Sequence, residues 1–221
     1  MRRTQLFKPF ANRPFAQLMA GQAFSGLGDG AFTVALVTVM VSQRHSFKDL
    51  GLVLAARSAA SLAAIVFGGV VADRFRRTRI MAVADSGRAV LSLAAALASP
   101  HAPILVWVII ATLVGGGTGL FQPAYQAVIP SLVDADNLQA GNALKTLTSQ
   151  GATVFGPSLG ALVVTIANPS AAFGVDAVTF LVSLATLLGI PEPSTPRPPR
   201  RNVVKEAREG VSAVLERPWI A

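Results

Sequence analysis

The 221-residue chain contains no cysteine, which excludes disulfides and thiolate metal sites. Histidine is almost as scarce. His45 and His101 fall in separate short polar breaks, positions that fit loop residues better than metal ligands. Charge is thin as well: 14% of residues are Asp, Glu, Lys or Arg, against about 25% in an ordinary soluble domain. A chain so poor in charge cannot cover a globular surface with polar groups. With 52% hydrophobic residues and a mean hydropathy of +0.55, its expected solvent is a bilayer. No G-x-x-x-x-G-K-[ST] loop occurs, which argues against an ATP motor in this chain. No nucleophile constellation or H-E-x-x-H is present, so the reading is a non-enzyme with no cofactor and no metal.

What the chain does have is long apolar runs. A spanning helix needs about 20 mostly apolar residues. Six stretches qualify: Ala16–Val41, Leu50–Ala72, Ile80–Ala98, Ile104–Tyr125, Ala143–Ala167 and Ala171–Ile190. The first is too long for a signal-peptide core and lacks a small-residue cleavage site. Ser46, followed three residues later by Asp49, reads as a capping box for the second helix. Asp134, Asp136 and Asn137 are suited to cap a short helix or the start of the fifth.

The basic residues fix an expected orientation. Fifteen lie on one side: Arg2, Arg3, Lys8 and Arg13; Arg74, Arg76, Arg77 and Arg79; Lys145; and six between Arg197 and Arg217. Only Arg44 and Lys48 lie on the other, and Arg57 and Arg88 fall inside the membrane. Lysine and arginine stay in the cytoplasm, so both termini are expected there. The same clustering accounts for the net charge of +8 without nucleic acid, because the basic residues sit between apolar runs rather than among aromatics on a polar face.

Residues 1–190 therefore read as a six-helix transmembrane domain, and 191–221 as a cytoplasmic tail. The tail begins with a proline-rich basic linker from Pro191 to Arg201. An amphipathic helix follows over Val203–Glu216, and Arg217-Pro218-Trp219-Ile220 resembles the approach to a seventh span.

Charges inside hydrocarbon are costly and mark function by default. Asp29 lies between Gly28 and Gly30 in the first helix, a candidate to carry a proton or hold a cationic group. The alternative role is a carboxylate paired with Arg57 or Arg88 to stabilise the bundle. Asp85 and Arg88, three apart, share a face of the third helix. Asp176, toward the outer end of the sixth, is read as a wet or capping residue.

Three further patterns carry a resemblance. Gly69-Val70-Val71-Ala72-Asp73-Arg74-Phe75-Arg76-Arg77 resembles the loop between the second and third helices of the major facilitator superfamily, with Arg76 where that family usually has glycine. Gly151 through Ala161, with Gly156, Pro157 and Gly160, resembles the antiporter signature on helix five of the superfamily's exporters, with Ala161 in place of its last glycine. A glycine cluster at Gly115–Gly119 precedes Gln122-Pro123-Ala124, a phrase similar to one in the branch of enterobactin and macrolide exporters.

The resemblance implies an all-α membrane protein, a 3+3 inverted repeat forming half of a twelve-helix transporter in the plasma (inner) membrane. It implies proton-coupled export of a small amphipathic molecule, siderophore or drug-like, by alternating access. Asp29, Arg57, Asp85 and Arg88 would serve transport and coupling. Gly69, Asp73, Arg74 and Arg77 would form a cytoplasmic gate, with Asp73 docking on a helix dipole of the other half. The expected partners are substrate, protons, lipid and either a missing C-terminal half or a second copy. The competing expectation is a truncated, transport-incompetent six-helix fragment acting only as a binding or assembly element.

Overall fold

A computed structural model describes residues 6–42, 46–98 and 101–190, apart from the side chains of Val70 and Asp73. The expected linker and amphipathic helix, His45 and the Asp73 carboxylate lie outside the described residues. Six helices account for nearly all of the rest: α1 (Arg13–Ser42), α2 (Phe47–Arg74), α3 (Arg77–Leu97), α4 (Ile104–Leu132), α5 (Leu138–Ile166) and α6 (Pro169–Leu187). All six are long and apolar enough to cross a membrane, and the described residues contain no strand.

Several helices run past the expected limits. α1 starts three residues earlier, α4 continues through Pro123 and Pro130 to Leu132, and α5 starts at Leu138. Hydropathy marks only the part of a helix that sits in hydrocarbon, so polar ends escape it. Proline inside a packed membrane helix is tolerated because neighbours satisfy the freed backbone.

The ends are tied by side chains. Ser46 Oγ accepts the Lys48 N–H at 3.1 Å while the Asp49 carboxylate accepts the Ser46 N–H at 3.0 Å, the capping box expected of α2. Asn168 caps α6 by accepting the Ala171 N–H, and Asn12 Nδ2 donates to the Leu132 carbonyl at the end of α4. The expected caps near α5 differ. Asp134 precedes a short 3-10 turn (Ala135–Asn137) and Asn137 ends it, and neither side chain makes a cap bond. The 3-10 turn leads directly into α5 and itself bridges the two helices.

The packing order is α5–α1–α6–α3–α4–α2. Exchanging each helix with the one three places along maps this order onto itself: α1–α5 becomes α4–α2, α1–α6 becomes α4–α3, and α3–α6 is its own image. That is the pattern of a 3+3 inverted repeat. Glycines set the close approaches. On one side Gly156 and Gly160 of α5 abut α1 at Gly30 and Ala31. On the other, Gly115 and Gly119 of α4 abut the backbone of α2 at Arg57 and Ser61. Small residues four apart let membrane helices come this near.

Two apolar layers close the ends of the bundle. One, containing Phe15, Met81, Phe121 and Ile129, lies toward the arginine-rich end where α1 begins; the other, containing Phe32, Trp107 and Phe173, lies toward the opposite end. Between them is a polar layer at mid-depth. α2 and α5 bury only 6% and 17% of their spanning windows, against 39–44% for the other four. The two poorly covered helices are themselves repeat partners.

Candidate functional site

The polar layer is built from the middle turns of four helices. Arg57 lies ten residues into α2 and Arg88 eleven into α3, so each is about 15 Å from its helix end. Asp29 lies near the centre of α1. The fold brings all four sequence-predicted coupling residues together. Arg57 Nη2 meets Asp29 Oδ1 at 3.0 Å, while its Nη1 donates to Thr33 Oγ1, also at 3.0 Å. Arg88 Nη1 reaches Asp29 Oδ2 at 3.6 Å, and Arg88 Nη2 pairs with Asp85 one turn below. Asp29 therefore sits between two guanidiniums. Arg88 is 3% exposed, and its guanidinium is clasped between the rings of Phe180 (4.3 Å) and Phe121 (4.9 Å). Such cation–π contacts are worth about 2 kcal/mol when desolvated.

Sequence reasoning missed the hydroxyls that complete this network. Ser183 Oγ donates to Asp85 Oδ2 at 2.7 Å, and Ser92 Oγ donates to Asp176 Oδ2 at 2.6 Å. The expected wet or capping role of Asp176 is wrong. The carboxylate has no solvent exposure, because α6 turns that face toward α1 and α3. The missed signal was present as spacing. Asp85, Arg88 and Ser92 recur at i, i+3 and i+7 on α3; Asp176, Thr179 and Ser183 do so on α6. Each set forms one face of a helix.

A cavity of about 450 Å³ opens onto the Asp29 side of this layer. Its wall takes Gln22, Ser25, Asp29 and Thr33 from α1, Arg57 from α2, Arg88 from α3, Thr118, Phe121 and Gln122 from α4, and Lys145, Thr148 and Pro157 from α5. Its size is within the range of small-molecule sites. Its lining mixes cations, one carboxylate, amides, hydroxyls and the rings of Phe121 and Tyr125, so charge, hydrogen bonds and apolar contact are offered side by side. Gln22 Nε2 also donates to Ser183 Oγ at 3.5 Å, linking the wall to the buried network. Among the described residues no group of three or more His, Cys, Asp or Glu is arranged to hold a metal ion.

The predicted motifs divide by contact. In α5, Gly156 and Gly160 press on α1 and Pro157 lines the cavity, whereas Gly151 has nothing opposite it. In α2, Gly69 faces open space, and its neighbour Gly68 approaches Pro123 and Gly119 of α4. Arg77 Nη1 donates to the Ala127 carbonyl of α4 at 2.7 Å, so it binds within this bundle. Of the glycines on α4, Gly115 and Gly119 pack on α2 and Gly117 on the Arg88 side chain, while Gly116 has nothing opposite it.

Comparison with known proteins gives three findings. Residues 18–221 match the family model described as Major Facilitator Superfamily. The enterobactin exporter EntS of Shigella boydii serotype 18 is 26% identical over 193 residues, covering 86% of this chain and 46% of that protein. The enterobactin exporter EntS of Escherichia coli O1:K1 / APEC is 25% identical with the same coverage. This chain thus spans about half the length of these curated relatives. Among solved structures, a mutant of the peptide transporter POT in complex with sulfate aligns with a TM-score of 0.69 at 18% identity, covering 91% of this chain and 44% of that one. At that identity the likeness is one of fold.

Proposed function

The chain belongs to the Major Facilitator Superfamily, and from that premise we propose that it forms one six-helix half of a secondary exporter that moves a small amphipathic molecule outward against proton entry. The mid-depth cavity with Asp29 held between Arg57 and Arg88 is the observation that carries this reading. Buried charges that can pair in more than one way form a coupling device: a proton on Asp29 weakens its hold on both guanidiniums, and a polar or anionic substrate can then compete for them. The half-length match to enterobactin exporters makes a catechol-type siderophore the first substrate to try.

The poorly covered faces of α2 and α5 fit a second six-helix unit, either a C-terminal half or another copy, closing the cavity from its open side. Rocking of the two units would expose the cavity to each side in turn. The arginine-rich end is assigned to the cytoplasm of the plasma membrane by the positive-inside rule. At that end Gly69, Asp73 and Arg74 would meet the second unit, while Arg77 braces α3 against α4.

The test is uptake of enterobactin into inverted membrane vesicles carrying the transporter, energised by a proton gradient. Accumulation should cease when the gradient is collapsed and in Asp29→Asn. Export that survives Asp29→Asn with an unchanged proton stoichiometry would remove Asp29 from the mechanism. Export indifferent to the gradient would remove proton coupling.

A further inference from the structure

α3 and α6 carry the same polar turn in opposite directions. Asp85 of α3 accepts from Ser183 of α6, and Asp176 of α6 accepts from Ser92 of α3. Each bond joins the aspartate of one helix to the serine that stands seven residues beyond the aspartate of the other. The two carboxyls are therefore structural twins within the inverted repeat. The twins differ at one place. Three residues after Asp85 stands Arg88, which neutralises it; three residues after Asp176 stands Thr179, whose hydroxyl is spent on the Asp176 backbone carbonyl. Asp176 Oδ1 is buried and has no hydrogen-bond partner, and no cation among the described residues makes an ion pair with Asp176.

The cluster has three carboxyls (Asp29, Asp85, Asp176) and two guanidiniums (Arg57, Arg88), so with every acid ionised it sums to −1. An uncompensated charge at this depth is far more costly than a neutral group lacking one hydrogen bond. The charged groups that act on Asp176 are Asp29 on α1, Arg88 on α3 and Arg57 on α2; Asp29 and Asp85 already occupy both cations.

We propose that Asp176 is a second proton-binding site, occupied in this conformation as a neutral carboxylic acid while Asp29 and Asp85 hold the two arginines. In this state Oδ2 is the carbonyl oxygen that accepts from Ser92, and Oδ1 carries the proton. The proton comes from water in the cavity and returns to water, the only bond made or broken being Oδ1–H. A metal cation does not fit the same place. It needs a cage of several oxygens, whereas α1 passes so close that a Cβ at Gly28 would lie 2.6 Å from Asp176 Oδ1. The same contact places Asp176 next to Asp29 of the cavity wall, so a shift of α1 on α6 would bring it to water.

This deepens the proton-coupled reading and rests on it for its role in transport, but its first test does not involve transport. Infrared spectra of the full chain in lipid nanodiscs at neutral pH should show a protonated-acid carbonyl band sensitive to deuterium exchange. Asp176→Asn should abolish it, Ser92→Ala should shift it by removing the hydrogen bond, and Asp134→Asn should leave it alone. Absence of the band, or its persistence unchanged in both Asp176→Asn and Ser92→Ala, overturns the proposal. Loss of the band on adding sodium at constant pH overturns it in favour of a cation site. Should Asp176→Asn fail to fold, the Ser92→Ala shift decides alone. Export that proves independent of the proton gradient while the band remains would refute the coupling and leave the site standing.

Discussion

Within α5, Gly151, Gly156 and Gly160 belong to one sequence pattern yet face different surroundings, so alanine at each gives a graded test of the packing. An added Cβ at Gly160 would lie 2.6 Å from Ala31 Cα, with the Ala31 carbonyl oxygen and Val34 Cβ both at 3.2 Å. Carbon atoms prefer about 3.5–4.0 Å, so α1 and α5 must part by roughly 1 Å, because the obstacle is backbone and cannot rotate away. At Gly156 the nearest atoms, Gly30 Cα and the Leu27 carbonyl oxygen, would be 3.1 Å off, a milder overlap. At Gly151 there is nothing within 4 Å. All three substitutions share the helix-propensity gain of about 1 kcal/mol over glycine. Their differences therefore report the overlap, for which overpacking costs about 1–3 kcal/mol. Gly160→Ala should fall below Gly151→Ala by that amount, with Gly156→Ala between them. For a domain of this size each kcal/mol moves the midpoint by roughly 2–4 °C. Thermal unfolding in detergent, followed by circular dichroism, measures the order directly. If Gly151→Ala unfolds at or below the temperature of Gly160→Ala, the close α1–α5 approach is not what the glycines serve.

Other perturbations address the polar layer. Arg88→Thr turns the α3 triad into a copy of the α6 triad, and a second protonated-acid band, from Asp85, should appear in the infrared spectrum. Ser183→Ala leaves Asp85 Oδ2 without its donor and should lower stability by about 1–3 kcal/mol; Ser86→Ala, whose exposed hydroxyl only returns to the Ala82 carbonyl, should be neutral within about 0.5 kcal/mol. Arg57→Lys keeps the charge but replaces a fork that holds both Asp29 and Thr33 with a single point. Substrate affinity measured by scintillation proximity should drop several-fold while the chain stays folded.

Hydropathy made the six spans legible, and the four midplane charges Asp29, Arg57, Asp85 and Arg88 were legible because nothing else explains ions in hydrocarbon. Pairing of Asp29 with Arg57 or Arg88 was legible as one alternative, and Asp85 with Arg88 from their spacing; that both arginines hold Asp29 at once was not, since the rotation of each helix about its axis decides which side chains meet. The same limit separates Gly160 from Gly151 and Gly68 from Gly69: a motif places a glycine on a helix but does not say which neighbour passes it. Asp176 was misjudged by distance from the helix end alone. The face shared by Asp176, Thr179 and Ser183 held the better clue, and its likeness to Asp85, Arg88 and Ser92 held the pairing as well. The end of α4, Gln126–Leu132, was missed although Val128, Ile129 and Leu132 are apolar, because Gln126, Pro130 and Ser131 interrupt the run.

The partners that α6 offers to α3 are made long after α3 itself. Ser183 follows Asp85 by 98 positions and Asp176 follows Ser92 by 84. At about 5–20 residues per second of synthesis, the ribosome delivers α6 roughly 5–20 s later. Through that interval α3 is in the insertion machinery or the lipid with Asp85 and Arg88 and no sixth helix to receive them. Arg88, three residues from Asp85, lets α3 neutralise itself with material already translated. Its sixth-helix counterpart carries no such arginine; when Asp176 emerges, α3 is already in place to offer it the Ser92 hydroxyl.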